Sequence, residues 1–191
     1  MSKGRLEAFS DGVLAIIITI MVLELGVPHE PTWEALLPLA PVFSSYVLSF
    51  IFLGIYWNNH HHLLQAAKAV SGRVLWANLH LLFWLSLVPF VTAWMGETGF
   101  AAWPMALYGV VLLFSAVAYT WLVLALTAIH DQASVVAAAS GRDLKGRLSL
   151  AGYALAIPLA FASPWIAGAL YVAVAVMWLV PDRNIENRLK G

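Results

Sequence analysis

Six apolar runs, separated by short breaks rich in charge, glycine or proline, set the pattern of this chain. A membrane-spanning helix needs about 20 mostly apolar residues to cross a hydrocarbon core about 30 Å thick. Each run therefore predicts one such helix, and a turn at Ser163 and Pro164 separates the last two, which are short. The predicted spans cover residues 7–25, 38–62, 74–95, 103–128, 147–163 and 166–181. The predicted fold class is all-α, a polytopic membrane protein with six transmembrane helices.

The overall composition agrees with this pattern. Hydrophobic residues make up 62% of the 191 positions and charged residues 10%, with a mean hydropathy of +0.83. Soluble domains contain about 45–50% apolar and about 25% charged residues. The composition therefore excludes a disordered tail, a basic nucleic-acid binder and an ordinary cytosolic enzyme. Because the chain has no cysteine, disulfides and thiolate metal sites are excluded as well.

Positive and negative charges are equal in number but unevenly placed along the chain. Lysine and arginine accumulate on the cytoplasmic side of membrane proteins, and here all ten lie before the first span, after the sixth, or in alternate connections and at their edges. They are Lys3, Arg5, Lys68, Arg73, Arg142, Lys145, Arg147, Arg183, Arg188 and Lys190. The remaining connections carry acidic residues and no lysine or arginine, namely Glu24, Glu30, Glu34 and Glu97. We predict that both termini are cytoplasmic.

Polar side chains within the spans are concentrated near one membrane surface. Charge at membrane depth is expensive, and charged groups found there are usually paired or functional. With the predicted topology, three spans bring polar residues to the cytoplasmic layer. These residues are Arg5, Ser10 and Asp11 at or near the cytoplasmic end of the first span, Asn58, Asn59, His60, His61 and His62 in the second, and Asn78 and His80 in the third.

The residues alone leave three interpretations of this polar layer open. A buried hydrogen-bonded network would lock the three helices together, with Arg5 compensating the charge of Asp11. A proton-sensitive gate would use histidine, which titrates near neutral pH. A metal site is the third interpretation. Consecutive histidines point about 100° apart on a helix, so the run from His60 to His62 fits the spacing of metal ligands poorly.

The first span carries a recognisable signature. Residues 5–11 read R-L-E-A-F-S-D, which resembles the R-x-x-x-F-S-D sequence that opens the first helix of the transmembrane protein 175 family. That family comprises the endolysosomal potassium channels and their bacterial relatives. The resemblance covers about the first half of the chain, and it continues in Tyr56-Trp57-Asn58-Asn59-His60-His61, in Asn78 and in Leu87-Val88-Pro89-Phe90-Val91-Thr92.

This resemblance implies a potassium-selective cation channel and not an enzyme, with residues 1–191 forming a single six-helix transmembrane channel domain. Like the bacterial members, the chain is expected to form a homotetramer. Its expected location is the lipid bilayer of the bacterial inner membrane. K⁺ is the expected permeant ion, and the protein is expected to have no cofactor, no resident metal and no nucleic-acid partner. The implied pore-lining residues are Gly12, Ile16, Thr19, Ile20 and Leu23, with Ile16 at a hydrophobic constriction. The implied structural polar network comprises Arg5, Phe9, Ser10, Asp11, His60, His61 and Asn78.

Helix geometry is compatible with such a pore. Gly12, Ile16, Thr19 and Leu23 follow the spacing of one helix face. Since the chain contains no T-V-G-Y-G segment, selectivity would come from the cost of partly dehydrating ions at a hydrophobic neck, with Thr19 hydroxyls replacing part of the lost water. Two alternatives stay open. One is a proton-coupled transporter that uses Asp11 and the histidines, and the other is an intramembrane metalloenzyme built on the histidine cluster.

Cysteine labelling tests the predicted topology, because the chain contains no cysteine of its own. Glu97→Cys should react with an impermeant thiol reagent on intact cells, since the distribution of basic residues puts this connection outside. Lys68→Cys should react only after the cells are permeabilised. The reverse labelling pattern would invert the orientation and, with it, the depth assigned to every polar residue above.

Overall fold

The computed structural model describes residues 2–129 and 143–179, and every regular element in these two ranges is a helix. Arg142, Arg183, Arg188 and Lys190, on which part of the topology prediction depends, lie outside the described residues. The α-helices are α1 (Lys3–Leu23), α2 (Ala40–Ala66), α3 (Gly72–Ser86), α4 (Val88–Glu97), α5 (Ala102–Thr127), α6 (Asp143–Ala162) and α7 (Pro164–Leu179), and a 3₁₀ helix (Glu34–Leu39) leads into α2.

Four helical segments are long and apolar enough to cross a membrane, as judged by length and composition. They are Lys3–Leu23, Glu34–Ala66, Gly72–Glu97 and Ala102–Thr127, and they match the first four predicted spans. The prediction of an all-α membrane protein is therefore confirmed for the described part of the chain. Helix α7 is apolar but has 16 residues, which is about 24 Å at the rise of an α-helix. The count of six spans stays a prediction.

The third span is interrupted, whereas the hydrophobic pattern predicted one continuous helix over residues 74–95. Pro89 has no N–H to donate to the carbonyl of Leu85, and α3 ends at Ser86 while α4 begins at Val88. At the junction, the Leu87 N–H donates to the Trp84 carbonyl oxygen at 3.2 Å, a shorter turn than the α-helical one.

Close backbone contact joins α4 to α2. A Cβ atom added at Gly96 would lie 2.7 Å from the Cα of Val42, so only glycine permits this crossing. Small residues commonly allow such approach between membrane helices. Helix α1, in contrast, packs against α2, α3 and α4 along one face only, through Leu6, Ser10, Leu14, Ile17 and Met21. Its other face is left uncovered within the single chain.

Candidate functional site

The uncovered face of α1 carries the residues implied to line a pore. Ile16 is 59% exposed, Ile20 41% and Leu23 79%, and Gly12 and Thr19 are exposed as well. The next residue after Ile16, Ile17, is only 4% exposed because it points about 100° away, into the bundle. All five implied pore residues therefore share a surface that the single chain does not cover.

The hydroxyl of Thr19 bonds to its own helix on this face. Thr19 Oγ1 donates to the carbonyl oxygen of Ile16 at 2.9 Å, a bond that threonine commonly makes inside helices. Since the hydroxyl proton is engaged with the backbone, the oxygen lone pairs remain available to the outside. This arrangement suits an oxygen that replaces water around a cation.

A buried chain of hydrogen bonds joins three helices behind that face. His60 Nε2 and Asn78 Oδ1 lie 2.7 Å apart, Asn78 Nδ2 donates to Ser10 Oγ at 2.9 Å, and Ser10 Oγ donates to the Leu6 carbonyl at 2.9 Å. Because Asn78 Oδ1 can only accept, His60 Nε2 carries the proton in this bond. His60, Asn78 and Ser10 come from α2, α3 and α1, and each is buried. This chain anchors α1 to the bundle.

Other members of the implied polar network lie outside this chain of bonds. Asp11 Oδ1 accepts a hydrogen bond from Trp57 Nε1 at 3.0 Å on the exposed side of the α1–α2 seam. His61 stacks on the ring of Trp57, with ring centres 5.8 Å apart. Phe9 is half exposed. The His61 ring also contacts the edge of the His62 ring, at 5.6 Å between centres, whereas His60 bonds to Asn78 inside the bundle. Among the described residues the three adjacent histidines therefore form no metal-binding group.

Arg5 and Asp11 form no ion pair with each other within residues 2–129. Six residues on an α-helix correspond to a rise of about 9 Å and a rotation of about 120° between the two side chains. Both residues are exposed in the single chain. The compensation of Asp11 by Arg5 that the sequence suggested is thus absent inside one copy, and the carboxylate is paired with an indole N–H instead.

Two further groups of polar side chains differ from the sequence prediction. One was placed in the polar layer, and the other was not predicted. His80 belongs to another face of α3, where Trp84 Nε1 donates to its Nε2 at 3.0 Å and the Trp121 ring lies 5.2 Å away. Near the other end of the bundle, Ser49 Oγ lies 2.7 Å from Thr92 Oγ1 and 3.0 Å from the Tyr108 hydroxyl. Isolated hydroxyls in apolar helices give little sequence signal, because serine and threonine also bond to carbonyls of their own helix, as Ser115 does.

A groove runs along α1 beside the pore-lining candidates. Its volume is about 490 Å³, and it lies between α1 and the interrupted third span. Ile16 and Ile20 form one wall, Pro89 and Phe90 form the other, and Glu24 stands at one end. The groove is apolar over most of its length and open to the surface of the single chain.

The sequence of this chain is similar to those of known proteins. Residues 5–89 match the family described as endosomal/lysosomal potassium channel TMEM175. The chain is 53% identical over 190 residues to a potassium channel from Chryseobacterium sp., a match that covers 100% of this chain and 99% of that relative. The similarity therefore extends over the full length of both proteins.

A solved structure and an animal protein are also similar. The crystal structure of a lysosomal potassium-selective channel TMEM175 homolog from Chamaesiphon minutus superposes with a TM-score of 0.79, at 30% identity, covering 93% of this chain and 96% of that one. The human protein named endosomal/lysosomal proton channel TMEM175 is 35% identical over 96 residues, which is 44% of this chain and 19% of the human one.

We expect the buried hydrogen-bond chain to contribute to the stability of the protein. Asn78→Leu should lower the free energy of unfolding in detergent by about 1–3 kcal/mol, because it leaves the buried His60 N–H without an acceptor. Asn58→Leu, at an exposed position of the same polar layer, is the control and should have little effect. Denaturant titration of both variants checks this. Equal losses at the two positions would contradict a specific role for Asn78.

Proposed function

Because this chain belongs to the TMEM175 family, we propose that it is a potassium channel that conducts passively through a central pore. Four copies surround the pore, and each contributes α1 as the lining helix. The observation that carries the proposal is the free face of α1, where all five implied pore residues are exposed while the opposite face is buried. A helix with two such faces fits a position between its own bundle and a central axis.

The proposed selectivity depends on dehydration at a narrow apolar neck. Four Ile16 side chains form the constriction, and an ion passing it loses part of its hydration shell. K⁺ holds water less strongly than Na⁺, so the barrier is lower for K⁺. Thr19, one turn further along α1, offers oxygen lone pairs that replace some of the lost water. No charged residue of α1 is needed at the neck.

The proposed topology has six spans, with α3 and α4 together forming the third, and α6 and α7 forming the last two. Residues 1–191 form one channel domain with both termini in the cytoplasm of a bacterial cell. Two contacts support the antiparallel pairing of helices that this topology requires. Lys3 Nζ donates to the carbonyl of Gln65 at 3.1 Å, and Lys145 Nζ lies 5.9 Å from the centre of the Trp178 ring. The start of α1 therefore adjoins the end of α2, and the start of α6 adjoins the end of α7.

Proton transport is a second candidate, favoured by the exposed carboxylate of Asp11 and by the name of the human relative. Asp11 is accessible from the surface of the single chain and accepts a hydrogen bond from Trp57. Purified protein in liposomes distinguishes the candidates. A current that reverses near the K⁺ equilibrium potential supports the potassium channel, whereas flux that follows a pH gradient without K⁺ supports proton transport.

Substitution at the proposed neck should change conduction. Ile16→Asn replaces an apolar ring by one that ions can wet, so conductance should rise several-fold and the preference for K⁺ over Na⁺ should fall. Ile166→Asn, at an exposed isoleucine of α7, is the matched control and should leave permeation unchanged. Reversal potentials under K⁺/Na⁺ gradients provide the measurement. If Ile16→Asn leaves permeation unaltered, the pore is lined by another face.

Loss of the Thr19 hydroxyl should affect selectivity more than conductance. Thr19→Ala removes the oxygen that replaces water but changes little volume, so the K⁺/Na⁺ permeability ratio should fall by a few-fold. Thr120→Ala is a close control, because Thr120 is also exposed and also donates to its own helix, to Ala116 at 2.9 Å. A similar change in permeability ratio for both variants would remove Thr19 from the selectivity mechanism.

A further inference from the structure

The exposed ridge of α1 separates two different flanks of the single chain. On one side lies the groove between α1 and the third span. On the other side α2 presents a row of exposed large side chains that recur at alternating spacings of four and three residues. The members of this row are Phe43, Val47, Phe50 and Trp57, with Gly54 completing the spacing.

Two hydrogen bonds fix the register between α1 and α2. Lys3 reaches the carbonyl of Gln65, and Asp11 accepts from Trp57. From Lys3 to Asp11 is eight residues forward along α1, and from Gln65 to Trp57 is eight residues backward along α2. The two helices therefore run antiparallel with a constant offset. The depth of any α2 residue can be read from the α1 residue at the same level.

The exposed row on α2 lies at the same depth as the groove. Phe50, seven residues before Trp57, is level with Ile18 of α1, and Val47 lies one turn further out. The groove follows α1 from Val13 to Glu24. Phe50 and Val47 thus stand level with the middle of the groove but on the opposite flank of the chain.

We infer that the groove of one copy receives Val47 and Phe50 from α2 of the neighbouring copy. This inference rests on the proposed tetramer with α1 turned toward the axis. In a cyclic assembly the two flanks meet head to tail, so that one flank of each copy contacts the opposite flank of the next. Because neighbours in a membrane channel share one orientation, residues at equal depth meet. The wall of the groove beside Ile16 and Ile20 is completed only by the second copy.

The charges on the two flanks are complementary. Asp11 exposes its carboxylate on the α2 side of the ridge, next to Trp57. Arg5 lies three turns before Ile16 and points within about 20° of it, on the side of the ridge that approaches the neighbour's α2. Neither charge has an ion-pair partner within residues 2–129. Head-to-tail contact brings the arginine side of one copy to the same seam as the aspartate side of the next, with the two residues about 9 Å apart in depth.

Disulfide trapping tests this interface, because the chain has no cysteine. The double variant Phe50→Cys/Phe90→Cys should give, after oxidation in membranes, a ladder of linked dimer, trimer and tetramer on a non-reducing gel. Each single-cysteine variant should stay unlinked, since a head-to-tail contact does not oppose identical residues. Phe50→Cys combined with Val172→Cys, at an exposed position of α7, should also stay unlinked.

Native mass measurement of the unmodified protein in detergent tests the proposed tetramer separately from the proposed interface. If the protein is a tetramer but the Phe50→Cys/Phe90→Cys variant does not link, or links only within one chain, the proposed interface is wrong and the proposed channel is unaffected. The same conclusion follows if phospholipid occupies the groove. Links in a single-cysteine variant overturn the head-to-tail arrangement. A protein that is monomeric in membranes and detergent overturns the proposed tetramer and the interface together.

Discussion

The hydrogen bonds from His60 through Asn78 to Ser10 set the rotation of α1, and the remaining features of the site depend on that rotation. In hydrocarbon a buried polar group has no water to pair with, so an unpaired donor is costly. The buried amide N–H of Asn78 has Ser10 Oγ as its acceptor, so Ser10 faces α3. Because successive residues turn by about 100°, Gly12 then points about 200° further round, and Ile16 follows it out of the bundle. One polar contact thus decides which side chains of α1 are covered and which are free.

Hydropathy and helical periodicity predicted most of what positions this site. The helices are predictable because a membrane span satisfies its own backbone. Residue spacing puts Gly12, Ile16, Thr19 and Leu23 on one face of α1, and the family resemblance indicated that this face is the one left free. Ser10, His60 and Asn78 were singled out because polar side chains at membrane depth need partners. These inferences use local geometry or depth, and both can be read from one sequence.

The pairing of side chains across helices could not be predicted in the same way. Asp11 binds Trp57 and not Arg5, and His80 faces α5 although Asn78, two residues earlier, faces α1. Such choices depend on how far each helix is rotated and where it crosses its neighbours, and packing over the whole bundle determines this. The interruption at Pro89 belongs to the same class. A proline in an apolar run indicates a lost hydrogen bond, but the groove that Pro89 lines also depends on the helix lying opposite.

The bond between Thr19 and its own helix has a consequence for anions. Since the hydroxyl proton points at the Ile16 carbonyl, Thr19 presents electron pairs and no donor to the free face. Chloride, which is held by hydrogen-bond donors, finds none in this hydroxyl or in the aliphatic side chains around it. In the proposed pore, the hydrogen bond of this hydroxyl would therefore favour cations over anions on a helix face that bears no charge at this level.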